Sequence, residues 1–147
     1  DTAGHANPAQ VERMFGEIQR MDKGIECACH FHNTYGLGMA NIFAAMRAGV
    51  VVFETSFAGL GGCPFTKVAA GNVATEDFIH VLQRQGLRTD VNLEQLIAVV
   101  RDAAEHFGRD MPGFVYKIGP IPAVNTDGIY CKDKGLRMKD EGPKNSH

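Results

Sequence analysis

Ile25-Glu26-Cys27-Ala28-Cys29-His30-Phe31-His32-Asn33-Thr34 is the stretch on which the fold turns. Ile25 to Phe31 is a compact, largely apolar run bounded by Gly24 and the polar His32-Asn33-Thr34, which predicts a buried strand with its carboxyl end at the histidines. A helix is expected from about Leu37, with Met39, Ile42, Phe43 and Met46 on one face and Gly49 as its stop. Val50-Val51-Val52-Phe53 follows; it is β-branched and too short for a helix, so it reads as the next buried strand, leaving through Glu54-Thr55-Ser56. Strand, helix, strand in this order implies parallel pairing and an α/β fold. In such folds the ligand site lies at the carboxyl ends of the strands.

The flanks agree with that reading. Upstream, Asn7 and Pro8 mark a helix start, and Val11, Met14, Phe15, Ile18 and Met21 repeat at helical spacing up to about Gly24. Downstream, a glycine-rich segment from Phe57 to about Val73 carries Gly59, Gly61, Gly62 and Gly71 and is longer than most connections in a compact domain. Thr75 is expected to cap a helix that ends at Gly86, with Glu76 and Asp77 in its first turn. Asn92 with Gln95 resembles a capping box for a further helix ending at Gly108. Residues 1–107 are read as one structural unit and 108–147 as an irregular tail containing Pro112, Pro120, Pro122 and Pro143.

Composition narrows the function. The chain has 147 residues, 44% hydrophobic and 22% charged, the balance of a globular protein. Its longest apolar runs, at Val50–Phe53 and Ile97–Val100, fall far short of the roughly 20 residues of a membrane-spanning helix. A net charge of −2 and no long Lys/Arg run give no footprint for nucleic acid or an anionic membrane, so a small-molecule partner is expected. Cys27, Cys29, Cys63 and Cys131, with no signal peptide, read as reduced thiols rather than a disulfide framework. The chain opens at Asp1-Thr2 with no initiator Met, and a missing upstream portion is expected.

His30 and His32 are two apart on a strand, which turns both imidazoles to one face, where they can share a divalent ion. A hydrogen-bonded pair that merely closes the strand is the competing reading. Cys27 and Cys29 project to the opposite face and are expected to be small buried hydrophobes. Cys63 sits in Gly61-Gly62-Cys63-Pro64, where a thiol on a glycine-rich loop can exchange a proton with a substrate; an incidental loop cysteine is the alternative. Asn72 offers a neutral oxygen on the same side of the fold, although alone it reads as a turn residue.

Taken together, Asp1-Thr2-Ala3-Gly4, His30-Phe31-His32-Asn33-Thr34-Tyr35-Gly36, Ala58-Gly59-Leu60-Gly61-Gly62-Cys63-Pro64-Phe65 and Gly71-Asn72-Val73-Ala74-Thr75-Glu76-Asp77 resemble the 3-hydroxy-3-methylglutaryl-CoA lyase family. The match runs from Asp1 to about Phe107. The resemblance implies the C-terminal portion of a (β/α)8 TIM barrel, from the end of strand six through helix eight. It implies His30, His32 and Asn72 as metal ligands, Cys63 as the catalytic loop thiol, and Asp1 as an active-site aspartate that, with His30, handles the hydroxyl proton. It implies Glu76 as a support for the ligands, Mg²⁺ or Mn²⁺ as the ion and an acyl-CoA as substrate. It also implies a cytoplasmic or mitochondrial setting, and a homo-oligomer or association with a missing N-terminal half. A related aldolase or synthase of the same barrel group, or a noncatalytic fragment associating through open sheet edges, are the competing readings. Asn33 stands where the family usually has aspartate and Phe65 where tyrosine is common, which leaves the acyl group open. The family's arginine and metal-binding aspartate of strand one have no counterpart, so this chain by itself is expected to be inactive.

Overall fold

A computed structural model describes residues 1–62 and 71–122. Cys63, Phe65 and Cys131 lie outside the described residues, so the loop thiol on which the catalytic expectation centres has no structural account here.

Helix α1 spans Pro8–Met21. Its start is reciprocal: the Asn7 side chain accepts from the Gln10 amide at 3.0 Å and the Gln10 side chain accepts from the Asn7 amide at 3.1 Å. Two of the amides a helix start leaves orphaned are thus satisfied. The helix stops before Gly24 because Asp22 is extended and its side chain accepts from the Gly24 amide at 2.8 Å.

Strand β1 is Ala28–His30, shorter than the expected Ile25–Phe31, and helix α2 is Gly38–Arg47. Strand β2 is Val52–Glu54, shifted from the expected Val50–Phe53. The shift has a local cause. The Val50 amide donates to Ala45 O at 3.0 Å, so Val50 completes the α2 terminus with Gly49, at φ +90°, as its left-handed residue. The two strands pair in parallel, with Ala28 opposite Val52, Cys29 opposite Phe53 and His30 opposite Glu54. Alternation then assigns the faces. Cys29 is buried and Phe53 meets Phe78 edge-on at 5.5 Å, so this face packs on the helices. Ala28, His30, Val52 and Glu54 share the other face, which is open among the described residues. Val52 is 48% exposed there, contrary to the expectation of a strand covered on both sides.

After a 3-10 turn at Phe57–Gly59 come helix α3, Thr75–Gln83, helix α4, Leu93–Phe107, and a single-turn helix α5, Val115–Ile118. Two capping expectations are corrected. Ala74 occupies the α3 cap without a side-chain bond, while the Thr75 hydroxyl bonds that of Thr55 at 2.9 Å, tying α3 to the exit of β2. Asn92 caps α4 through the Gln95 amide at 3.0 Å, one half of a capping box. Gly108 ends α4 in the left-handed conformation, as read from the sequence.

Residues after Gly108 return to the core: Met111, Val115 and Tyr116 are buried in it. Asp77 holds them, its carboxylate accepting from the amides of Phe114 at 3.0 Å and Val115 at 2.7 Å. No periodicity in the tail announces α5, because its anchor lies on another helix. Among the described residues no helix is long and apolar enough to cross a membrane.

Candidate metal centre

The histidines meet as their spacing requires. His30 ends β1 and His32 follows two residues on; their ring centroids are 5.1 Å apart, at an interplanar angle of 82°. Asn72 joins them through the backbone. The Asn33 amide donates to Gly71 O and the Val73 amide to Phe31 O, which makes His32 and Asn72 an isolated antiparallel pair. In this bonding pattern the facing residues are the closer, non-hydrogen-bonded kind, and their side chains lie on one face. Asn72 is therefore a bridge residue, not the turn residue that its sequence context alone suggested.

The orientation of each donor has a visible cause. The Asn72 amide nitrogen donates to Leu60 O at 2.8 Å, while its Oδ1 is buried and has no hydrogen-bond partner among the described residues. His32 Nδ1 lies 2.8 Å from Asp1 O, a contact that assigns the proton to Nδ1 and leaves Nε2 as the lone-pair nitrogen. His30 Nδ1 faces Glu54 Oε2 at 3.9 Å. Burial, followed by the ammonium at Asp1, holds the His32 pKa below the usual histidine value, which favours the neutral form that ligates metals.

Asp1 lies against this pair, but mainly through its backbone: its amino group donates to His30 O at 3.3 Å. Its carboxylate turns back to accept from the amides of His5 at 3.0 Å and Ala6 at 3.4 Å. Asn33 also has a local task, since its Oδ1 accepts from the Gly38 amide at 3.0 Å and so satisfies the first turn of α2. An amide oxygen can do this as well as a carboxylate, which explains how the chain tolerates Asn at that position.

Glu76 is fully buried and makes no hydrogen bond to either histidine. Its Oε2 accepts from the Ala58 amide at 2.9 Å, holding a residue whose φ of +58° is costly for any side chain. Ala58 O in turn accepts from Gly113 N, and Gly59 O from Asn72 N, each at 3.1 Å. The entry to the glycine-rich segment and Asn72 are thereby fixed in one backbone network. Burial pushes the Glu76 carboxyl above the usual carboxylate range.

Cys29 is buried, with its thiol pushed up to about 11 by burial, and Cys27 is half-buried against the core. A Cys29 thiol so raised is not the thiolate that attacks or ligates. Among the described residues no three His, Cys, Asp or Glu side chains are gathered around one point. Two imidazoles and an amide oxygen with no partner among the described residues nevertheless lie on one face, chemistry that fits a divalent first-row ion or Mg²⁺ with further positions open. A cavity of about 410 Å³ runs beside Asn33, Asn72, Asp77 and Phe114, next to this set rather than over it, since its lining contains neither histidine. Sequence reading missed Glu54, whose one signal was an acid at the carboxyl end of a strand. It also missed the clamp by Asp77, which nothing local announces.

The chain is 39% identical over 112 residues to a hydroxymethylglutaryl-CoA lyase of Bacillus subtilis, covering 76% of this chain and 38% of that protein. It is 38% identical over 121 residues to an (R)-citramalyl-CoA lyase of Chloroflexus aurantiacus, covering 82% of this chain and 38% of the relative. Among solved structures it superposes on an HMG-CoA lyase from Acinetobacter baumannii, in complex with coenzyme A and 3-methylmalate, with a TM-score of 0.77 and 37% identity, over 85% of this chain and 41% of that one. The chain thus spans about two fifths of the length of the relatives it matches. The profile of the HMGL-like family matches residues 1–102, and the chain belongs to that family.

Proposed function

We propose that this chain carries the ion-binding and thiol-bearing part of a divalent-metal-dependent carbon–carbon lyase acting on a 3-hydroxyacyl-CoA. The observation that carries the reading is the common face of His30, His32 and Asn72, with the Asn72 oxygen left without a partner among the described residues. These three residues would hold Mg²⁺ or Mn²⁺. When bound, such an ion supplies Lewis acidity that makes a substrate hydroxyl easier to deprotonate.

The chain's own groups then divide the proton transfers. Asp1 takes the proton of the substrate's 3-hydroxyl, because a histidine that holds the ion through one nitrogen and carries hydrogen on the other has no lone pair to accept it; the electron pair left on oxygen forms the new ketone as the carbon–carbon bond breaks. The electrons of that bond pass to the thioester carbonyl as an enolate, and Cys63 gives a proton to the enolate carbon, releasing acetyl-CoA. Residues of strands six, seven and eight of a (β/α)8 barrel are the proposed origin of Asp1, of the histidines and of Cys63, respectively. With 3-hydroxy-3-methylglutaryl-CoA as substrate the ketone product is acetoacetate. A homologous substrate is the second reading, favoured by the citramalyl-CoA lyase relative.

A two-stranded parallel sheet with an open face cannot close a barrel. Turnover is therefore expected only when the complementary portion of a relative's barrel is supplied with the chain, an association through the open sheet edges. The test measures Mn²⁺ binding and acetyl-CoA release from both acyl-CoA substrates, with and without that portion. Release that appears on recombination and vanishes in Cys63→Ala supports the assignment; release that survives Cys63→Ala refutes the thiol role. Cleavage of 2-oxo acids in preference to acyl-CoAs would instead favour an aldolase of the same barrel group.

A further inference from the structure

The parallel register sets His30 directly opposite Glu54, and both side chains stand on the open face of the sheet. The contact is specific in its atoms: Glu54 Oε2 lies 3.9 Å from His30 Nδ1, not from Nε2. His32 has the equivalent arrangement, its Nδ1 facing the Asp1 carbonyl at 2.8 Å. Each imidazole thus turns its Nδ1 edge toward an oxygen, His32 within hydrogen-bond length and His30 at 3.9 Å, beyond it, and among the described residues no hydrogen bond reaches either Nε2. Left to itself in water, a neutral imidazole has no fixed choice of protonated nitrogen; the acceptor opposite one edge makes the choice. A ligating histidine is commonly oriented in this manner by a carboxylate on its far nitrogen.

We propose that Glu54 is the positioning residue of His30: its carboxylate closes from 3.9 Å to accept a hydrogen bond from Nδ1–H, and so presents Nε2, with its lone pair, to the ion. The inference rests on the reading of His30 as a ligand. Glu54 itself touches neither ion nor substrate. The two side chains are 39% and 71% exposed, and an ion pair so open to solvent adds little to folding stability. Its effect is therefore read on the tautomer and on the ion, not on the melting temperature.

The experiment uses the full chain labelled with ¹⁵N, at alkaline pH where imidazoles are neutral, with His30 signals identified by their loss in His30→Ala. Long-range proton–nitrogen spectra should show wild-type His30 protonated at Nδ1. Glu54→Gln, which keeps an acceptor oxygen, should retain that form, and Glu54→Ala should shift it toward Nε2–H. Mn²⁺ affinity should fall about 10- to 100-fold in Glu54→Ala. A wild-type His30 protonated at Nε2, or a tautomer unchanged in Glu54→Ala, overturns the proposal. Mn²⁺ affinity unchanged in His30→Ala overturns the ligand reading on which it rests, while the tautomer still decides separately whether the Glu54 contact exists.

Discussion

Gly71 couples the fold to Asn72, one of the proposed ligands, and replacing it tests that coupling. Its φ is +79°, and a Cβ built there would lie 2.1 Å from Gly59 O and 2.8 Å from Pro112 Cγ. Gly59 O is the backbone atom that accepts the Asn72 amide, so relieving the clash must move the hydrogen bond that holds Asn72. A left-handed non-glycine residue costs about 1–2 kcal/mol. Forcing packed backbone apart costs a further ~1–3 kcal/mol. Gly36 separates the two costs: its φ is +74°, yet a Cβ there meets nothing within 4 Å. Gly36→Ala should therefore lose about 1–2 kcal/mol and Gly71→Ala about 2–5 kcal/mol. Against a total of about 5–15 kcal/mol for a folded domain, the second loss is large. Urea unfolding of both variants, extrapolated to water, measures the difference. Mn²⁺ titration under conditions where both remain folded should show the larger loss of affinity in Gly71→Ala. Equal destabilisation by the two substitutions would refute the steric coupling of Gly71 to Gly59 and Asn72.

Other consequences follow from single contacts. Asp77→Ala removes the acceptor of the Phe114 and Val115 amides and should cost about 1.5–3 kcal/mol, the worth of a hydrogen bond to a charged group. Hydrogen exchange should quicken at those two amides and leave α1 unchanged; protection retained at Phe114 and Val115 would show that packing alone holds α5. Glu76 has its pKa raised in the folded chain, so folding favours the protonated acid. That contribution is fully present below pH 4.5 and is lost as pH rises through the raised value. The stability of wild type relative to Glu76→Gln should accordingly fall from pH 4 toward neutrality, and a difference that grows with pH would contradict the burial argument. Cys29, with its thiol raised to about 11, should resist alkylation at pH 8 in the folded chain and react in urea. Modification of Cys29 without unfolding would refute its burial as the cause of its protection.

Much of this was legible without coordinates. The α1 start at Asn7-Pro8, the α4 stop at Gly108 and the strand-helix-strand order are local choices, set by capping chemistry and by hydrophobic period, and they appear where the chain announces them. The shared face of His30 and His32 was legible for the same reason, since alternation along one strand needs no partner. The limits of β1 and β2 were not. The end of α2 captures the Val50 amide, and pairing extends only across Val52–Glu54, so β2 begins later than its β-branched run suggests.

The sequence by itself determined which residue types the site contains, the class of fold and the family, because motifs and periods are properties of short segments. Only the tertiary structure decided that Asn72 faces His32, that Glu54 stands opposite His30 and that Asp77 holds the return of the chain at Phe114. Each of these joins segments more than 20 residues apart. Their geometry is fixed by strand register and by the buried backbone atoms that must find partners, quantities that no local stretch of sequence contains.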